Sequence, residues 1–154
     1  MITKNLQIDF SRLENSRGWI YGQLWFDGEF ICDTLEIDHE KLITKGIYKL
    51  QVIKKEFTNL LEIAIVNDEK LELTRIVTEN TVFQKGIRIR NNNNFITIGN
   101  KANFPLLRMS EICMHNVVDI VKMYTYKGYE IEFKVTDYTK KEKTCFKTYS
   151  CSDN

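Results

Sequence analysis

Arg88 and Arg90 stand two apart in the run Gly86-Ile-Arg-Ile-Arg-Asn-Asn-Asn-Asn-Phe-Ile-Thr-Ile-Gly99. On a strand that spacing puts both guanidinium groups on one face, because side chains repeat every second residue. A guanidinium pairs bidentately with a carboxylate, so the two together suit an acidic ligand. Asn91, Asn92, Asn93 and Asn94 follow. Asn tolerates positive φ and hydrogen-bonds its own backbone, which predicts a tight turn between the runs Ile87/Ile89 and Phe95 to Ile98. Arg88, Arg90, Asn91, Asn92 and Asn93 are therefore the candidate binding residues. The plainer alternative makes both arginines solvent-facing strand positions.

Thiol and imidazole chemistry has fewer footholds. Cys113 and His115 lie two apart on a predicted helix, so they point to different faces, and two ligands are too few for a zinc site. His39 sits between Asp38 and Glu40, where it reads as solvated. Cys32 falls within an apolar run and reads as a buried structural cysteine. Cys145 and Cys151 could pair under oxidant, but the dispersal of all four cysteines predicts free thiols. No phosphate loop, zinc-ligand cluster or carboxylate pair in a recognisable context stands out. No catalytic residue, metal or cofactor is expected.

A chain of 154 residues suits one domain with a real core. Apolar residues at 43% and aromatics at 12% are ordinary for a packed globular chain. With 22 basic residues against 21 acidic ones, no general charge excess favours nucleic acid or an anionic membrane. The start Met-Ile-Thr-Lys-Asn lacks the apolar stretch of a signal peptide, and no run is long enough to span a membrane. Synthesis in a cytoplasm, with possible incorporation into a virion, is the expected location.

Period-two alternation predicts strands over Leu6–Phe10, Trp19–Phe26, Phe30–Leu35, Tyr48–Val52 and Leu61–Ile65, then around Leu71/Leu73, Ile87, Ile96 and Tyr129–Val135. Asp27-Gly28 between two aromatic and β-branched runs predicts a type I′ hairpin, and Asn67-Asp68 a second turn. One helix is expected from Ser110, as N-cap, to about Tyr124. Its stripe is Ile112, Val117, Val118, Ile120, Val121 and Tyr124, and Lys127-Gly128 ends it. The expectation is a mostly β domain over residues 1–137, a small barrel or curled sandwich with one packed helix. A Lys-rich tail over residues 138–154 completes it.

The order Gly22-x-Leu24-x-Phe26-Asp27-Gly28, Cys32-x-Thr34-Leu35-Glu36, Ile43-x-x-Gly46-x-Tyr48, Ile87-x-Ile89, Ile96-x-Ile98-Gly99 and Ser110 resembles the small β-rich domain-of-unknown-function family 5675. Members of that family occur in bacteria and their phages. The resemblance runs from about Trp19 to Val135, and the Cys-x-Thr-Leu-Glu segment after the Asp-Gly hairpin is its most specific part. The family usually carries a His and, after a short loop, a Gly-Cys. These resemble the site of L,D-transpeptidases, in which a His-activated Cys thiolate attacks a peptidoglycan stem peptide. In this chain Arg90 stands at the His position and Phe95 at the Cys position, with Asn92-Asn93 in place of Gly-Asn. Arginine is no general base near neutral pH, and a phenyl ring is no nucleophile. The resemblance thus implies a descendant that kept the scaffold without the catalysis.

The function expected is a non-catalytic structural or interaction module, a phage virion component or part of a phage-derived assembly. Its partners would be proteins, through self-assembly or a larger particle. The tail, with Lys140, Lys141, Lys143 and Lys147 among Tyr138, Phe146 and Tyr149, would be a docking arm, and strand edges a second docking mode. The alternative is a peptidoglycan-acting or peptidoglycan-binding protein in which Arg88 and Arg90 hold stem-peptide carboxylates. Single-stranded nucleic acid stacked on Tyr21, Trp25 or Phe26 is disfavoured by the balanced charge.

Overall fold

The computed structural model describes residues 5–38, 40, 42–54, 61–78, 81–84, 87–90, 95–102 and 107–137. Its strands are β1 (Asn5–Ser16), β2 (Trp19–Phe26), β3 (Glu29–Ile37), β4 (Gly46–Lys54), β5 (Leu61–Val66), β6 (Glu72–Val77), β7 (Thr81–Gln84), β8 (Ile87–Arg90), β9 (Ile96–Lys101) and β10 (Leu107–Arg108), then β11 (Glu130–Thr136) after helix α1 (Ser110–Tyr126). Eight of them close a barrel in the order β9-β3-β2-β1-β11-β4-β5-β6, with β6 returning to β9. The expected mostly β barrel with one helix is what the chain forms.

Two parallel pairings make the closure, β1 with β11 and β6 with β9. The other six seams are antiparallel. Along one edge β9 gives Ile96 and Thr97 to β6, then Asn100 and Lys101 to the added strand β10. Its opposite edge pairs with β3.

The turns follow from local chemistry. Asp27 and Gly28 adopt φ of 52° and 80°, as a type I′ turn requires. Arg17 and Gly18, at 55° and 84°, make a second such turn, which lets β1 run past the expected end at Phe10 to Ser16. Between β5 and β6 the Asn67 side-chain oxygen accepts from the N–H groups of Glu69 and Leu71, both at 2.9 Å.

Alternation packs the barrel with Ile8, Phe10, Leu24, Ile63, Ile65, Ile76, Ile96, Ile98 and Phe133, all fully buried. Phe10 and Phe133 stack with centroids 5.7 Å apart. The helix packs on this cluster through Cys113, Met114, Val117, Val118 and Val121. It touches β3 and β9 on one side of the barrel and β4, β5 and β11 on the other, so it lies across one mouth.

Three expectations need correction. The buried helix stripe is rotated toward Cys113 and Met114, and Ile112 is exposed. Met109, in the left-handed region at φ 58°, is the N-cap, and Ser110 is the first helical residue. On β6 the inward phase is Thr74 and Ile76, so alternation turns Leu73 outward, and both Leu73 and Leu71, which precedes the strand, are exposed.

Candidate functional site

Arg88 and Arg90 lie on β8, which pairs with β7 as a ribbon separate from the barrel. The tight turn expected between the Ile87/Ile89 run and the run from Phe95 to Ile98 falls outside the described residues. Strand β9 pairs with β3, β6 and β10. Asn91, Asn92, Asn93 and Asn94 lie outside the described residues, as do His39, Cys145, Cys151 and the tail over residues 138–154. Phe95 is half-buried just ahead of β9.

The groups that the fold does bring together lie along the inward face of β3. Cys32, Thr34 and Glu36 are all buried there, two residues apart. This is the Cys-x-Thr-Leu-Glu segment, and it runs from the helix-covered mouth toward the opposite one. Its two ends, four residues or roughly 13 Å apart along the strand, carry different chemistry.

At the mouth away from the helix, Arg12 turns inward from β1. Its Nε and Nη2 donate to the two Glu36 carboxylate oxygens at 2.8 and 2.9 Å. Its Nη1 donates to Asp137 Oδ1 at 2.8 Å, and the guanidinium lies over the Phe10 ring at 5.2 Å. Arg12 and Glu36 are 3% and 1% exposed, so this bidentate pair works in low dielectric. Burial pushes the Glu36 carboxyl up, against the pull of Arg12, whereas the two carboxylates hold Arg12 protonated.

Midway, Gly22 on β2 faces Thr34. A Cβ at Gly22 would lie 2.5 Å from the Ser11 carbonyl and 2.7 Å from Thr34 Oγ1, so only glycine fits. Among the described residues Thr34 Oγ1 has no hydrogen-bond partner.

At the helix mouth Cys32 meets Cys113, which closes the first turn of α1 and donates its N–H to the Met109 carbonyl at 3.1 Å. Cys32 and Cys113 both belong to the buried cluster beneath the helix. Cys113 Sγ donates to Asn100 Oδ1 at 3.8 Å, while Asn100 Nδ2 donates to Met109 Sδ at 3.7 Å. The neighbouring Cys113 thiol and burial push Cys32 up, while the neighbouring Cys32 thiol draws Cys113 down from its ordinary value against its own burial.

His115 is exposed, two residues on from buried Cys113, so the helix holds thiol and imidazole on different faces as the spacing predicts. The approach of Cys32 to Cys113 carried no sequence signal, because the barrel closure that creates it spans most of the chain. Among the described residues no cluster of three or more His, Cys, Asp or Glu could hold a metal ion. The fold and its inner groups define a closed β-barrel with one ionic and one helix-covered mouth. Comparison with protein-family models, curated proteins and solved structures finds no match.

Proposed function

We propose that the chain is a non-catalytic protein-contact module, a structural or accessory component of a phage particle or a phage-derived assembly. The observation that supports this best is the fate of the two halves of the family motif. Its scaffold segment, Cys32 to Glu36, is built into the barrel as the inward face of β3. The positions of the motif's chemistry are Arg90 and Phe95. With the interior filled by Phe10, Phe133 and the isoleucines, recognition falls to the outer surface. The β7–β8 ribbon offers strand addition there, since among the described residues each of its strands pairs only with the other.

Light scattering after gel filtration, on the full chain and on one ending at Asp137, tests this. The cut must follow Asp137, because its carboxylate holds Arg12. A defined oligomer that dissociates on truncation supports an assembly subunit with the tail as connector. A monomer in both forms removes self-assembly. Retention on peptidoglycan that is lost on Arg88→Ala and Arg90→Ala would then move the function to wall-peptide binding.

A further inference from the structure

The outward side of α1 carries a pattern that the barrel does not use. Cys113, Met114, Val117, Val118 and Val121 face the core. The ridge opposite them on the helix runs through Met109, Ile112, Asn116, Asp119, Met123 and Tyr126, every one exposed. Its four apolar members are 55%, 53%, 45% and 92% exposed in that order, so they stand in solvent. The spacing along the ridge is 3-4-3-4-3, the repeat of a helix that packs along a second helix, and it reads the same in both directions. We propose that this ridge pairs antiparallel with the same ridge of a second copy of the chain, about a twofold axis level with the bond between Val117 and Val118. The inference rests on the protein-contact reading above, and names the partner and the face.

In that arrangement the ridge complements itself. Reversal sets Met109 on Tyr126 of the second copy and Ile112 on its Met123, each contact made twice by symmetry. At the centre Asn116 meets Asp119 of the second copy, where an amide N–H can donate to the carboxylate. A polar pair at such a place fixes register and direction at some cost in strength. On one flank Glu111 and Lys122 are exposed, and reversal brings each within reach of the other across the seam. A parallel pair would instead set Asp119 against Asp119, Glu111 against Glu111 and Lys122 against Lys122, which repel. A membrane surface fits poorly, because Asn116 and Asp119 interrupt the apolar ridge at its middle. One helix of 17 residues gives a seam about 25 Å long, at the small end for a specific interface, so the pair forms and separates with concentration.

The test is sedimentation velocity of the full, reduced chain over a concentration series, with variants at exposed positions whose helix content is checked by circular dichroism. Wild type should pass from monomer to dimer as concentration rises. Lys122→Glu and Glu111→Lys should each weaken the dimer about tenfold, by opposing like charges at two symmetric places, and the double variant should restore it. Met123→Glu should abolish it. Ile112→Cys and Met123→Cys, mixed and oxidised, should cross-link position 112 to position 123 between chains, as peptide mapping reads.

A monomer at every concentration overturns the proposal. So does a dimer that Met123→Glu and the charge variants leave intact, or oxidation that joins Ile112→Cys to its own copy in preference to Met123→Cys. An oligomer that ignores the helix variants but dissociates on truncation after Asp137 refutes the helix seam alone and leaves the protein-contact reading standing. Monomers in every form remove self-assembly from both.

Discussion

The two mouths of the barrel are sealed by the same strand face in different ways. At one, Glu36 is locked to Arg12 by two charge-assisted hydrogen bonds and Asp137 takes a third. At the other, Cys32 lies in the buried cluster beneath the helix stripe of Cys113, Val117 and Val121. The ionic seal is specific and brittle: its bonds are directional, and losing one partner strands the other in low dielectric. The helix seal spreads its stabilisation over many weak contacts and tolerates local change. The ionic mouth also ties the chain near residue 137 to the barrel, while the thiol mouth ties the helix.

The largest effect should come from breaking the ionic seal. Arg12→Ala leaves the buried Glu36 carboxylate without its guanidinium, which should cost about 3–5 kcal/mol by chemical denaturation. Removing both charges with Arg12→Met and Glu36→Leu should recover most of it. Asp137→Asn should cost far less, because Asp137 is 42% exposed and can be solvated. A loss below about 1 kcal/mol for Arg12→Ala would place that mouth in water and end the contrast.

Two glycines sharpen the comparison. Gly22→Ala puts a methyl 2.5 Å from a backbone carbonyl and 3.2 Å from Phe10 inside the barrel, where neither neighbouring strand can retreat. Overpacking of that kind should cost about 1–3 kcal/mol. At the helix mouth, Gly99→Ala meets the Arg108 carbonyl and Leu107 Cβ, both at 2.8 Å, and Ser110 Oγ at 2.9 Å. Strand β10 has only two residues and can shift, so the loss of stability should be smaller. The same shift should speed alkylation of Cys113, which Gly22→Ala should leave slow.

Much of this was legible in the residues. Alternation located the barrel strands, and Asp27-Gly28 and Asn67 located two turns, because those signals are local. The phase errors arose where local pattern yields to assembly. Leu71 and Leu73 look like core until the pairing of β6 fixes Thr74 and Ile76 as its inward residues, and Ile112 loses its place to Cys113 because the helix must fit a mouth rather than a flat sheet. Arg88 and Arg90 drew attention by spacing alone, and pairing with β7 set them apart from the barrel. Arg12 gave no warning. It sits mid-strand among polar residues, and Glu36, 24 positions on, becomes its partner only once β1, β2 and β3 are in register.

The smallest predicted effect separates the two faces of β3 by pH. Asp33 points outward beside the helix mouth, and its Oδ2 accepts the Lys101 N–H at 2.7 Å. Burial raises its pKa above the ordinary 3.8, while the Lys101 N–H and charge restrain the rise. A carboxyl whose pKa is higher in the folded chain holds its proton more tightly there. Its ionisation therefore weakens the fold as pH climbs from the unfolded value through the raised one, and its cost is absent below both. Asp33→Asn keeps an oxygen for Lys101 and removes the charge. Against wild type, its urea midpoint should match near pH 3.8 and below and sit higher as the pH rises through the raised value. Glu36 is also raised by burial, but its charge is what Arg12 is built to meet. Glu36→Gln should consequently lose stability at neutral pH, where Asp33→Asn gains it. If both variants moved in the same direction there, burial alone would govern both carboxylates, and Arg12 would add nothing that tells the two mouths apart.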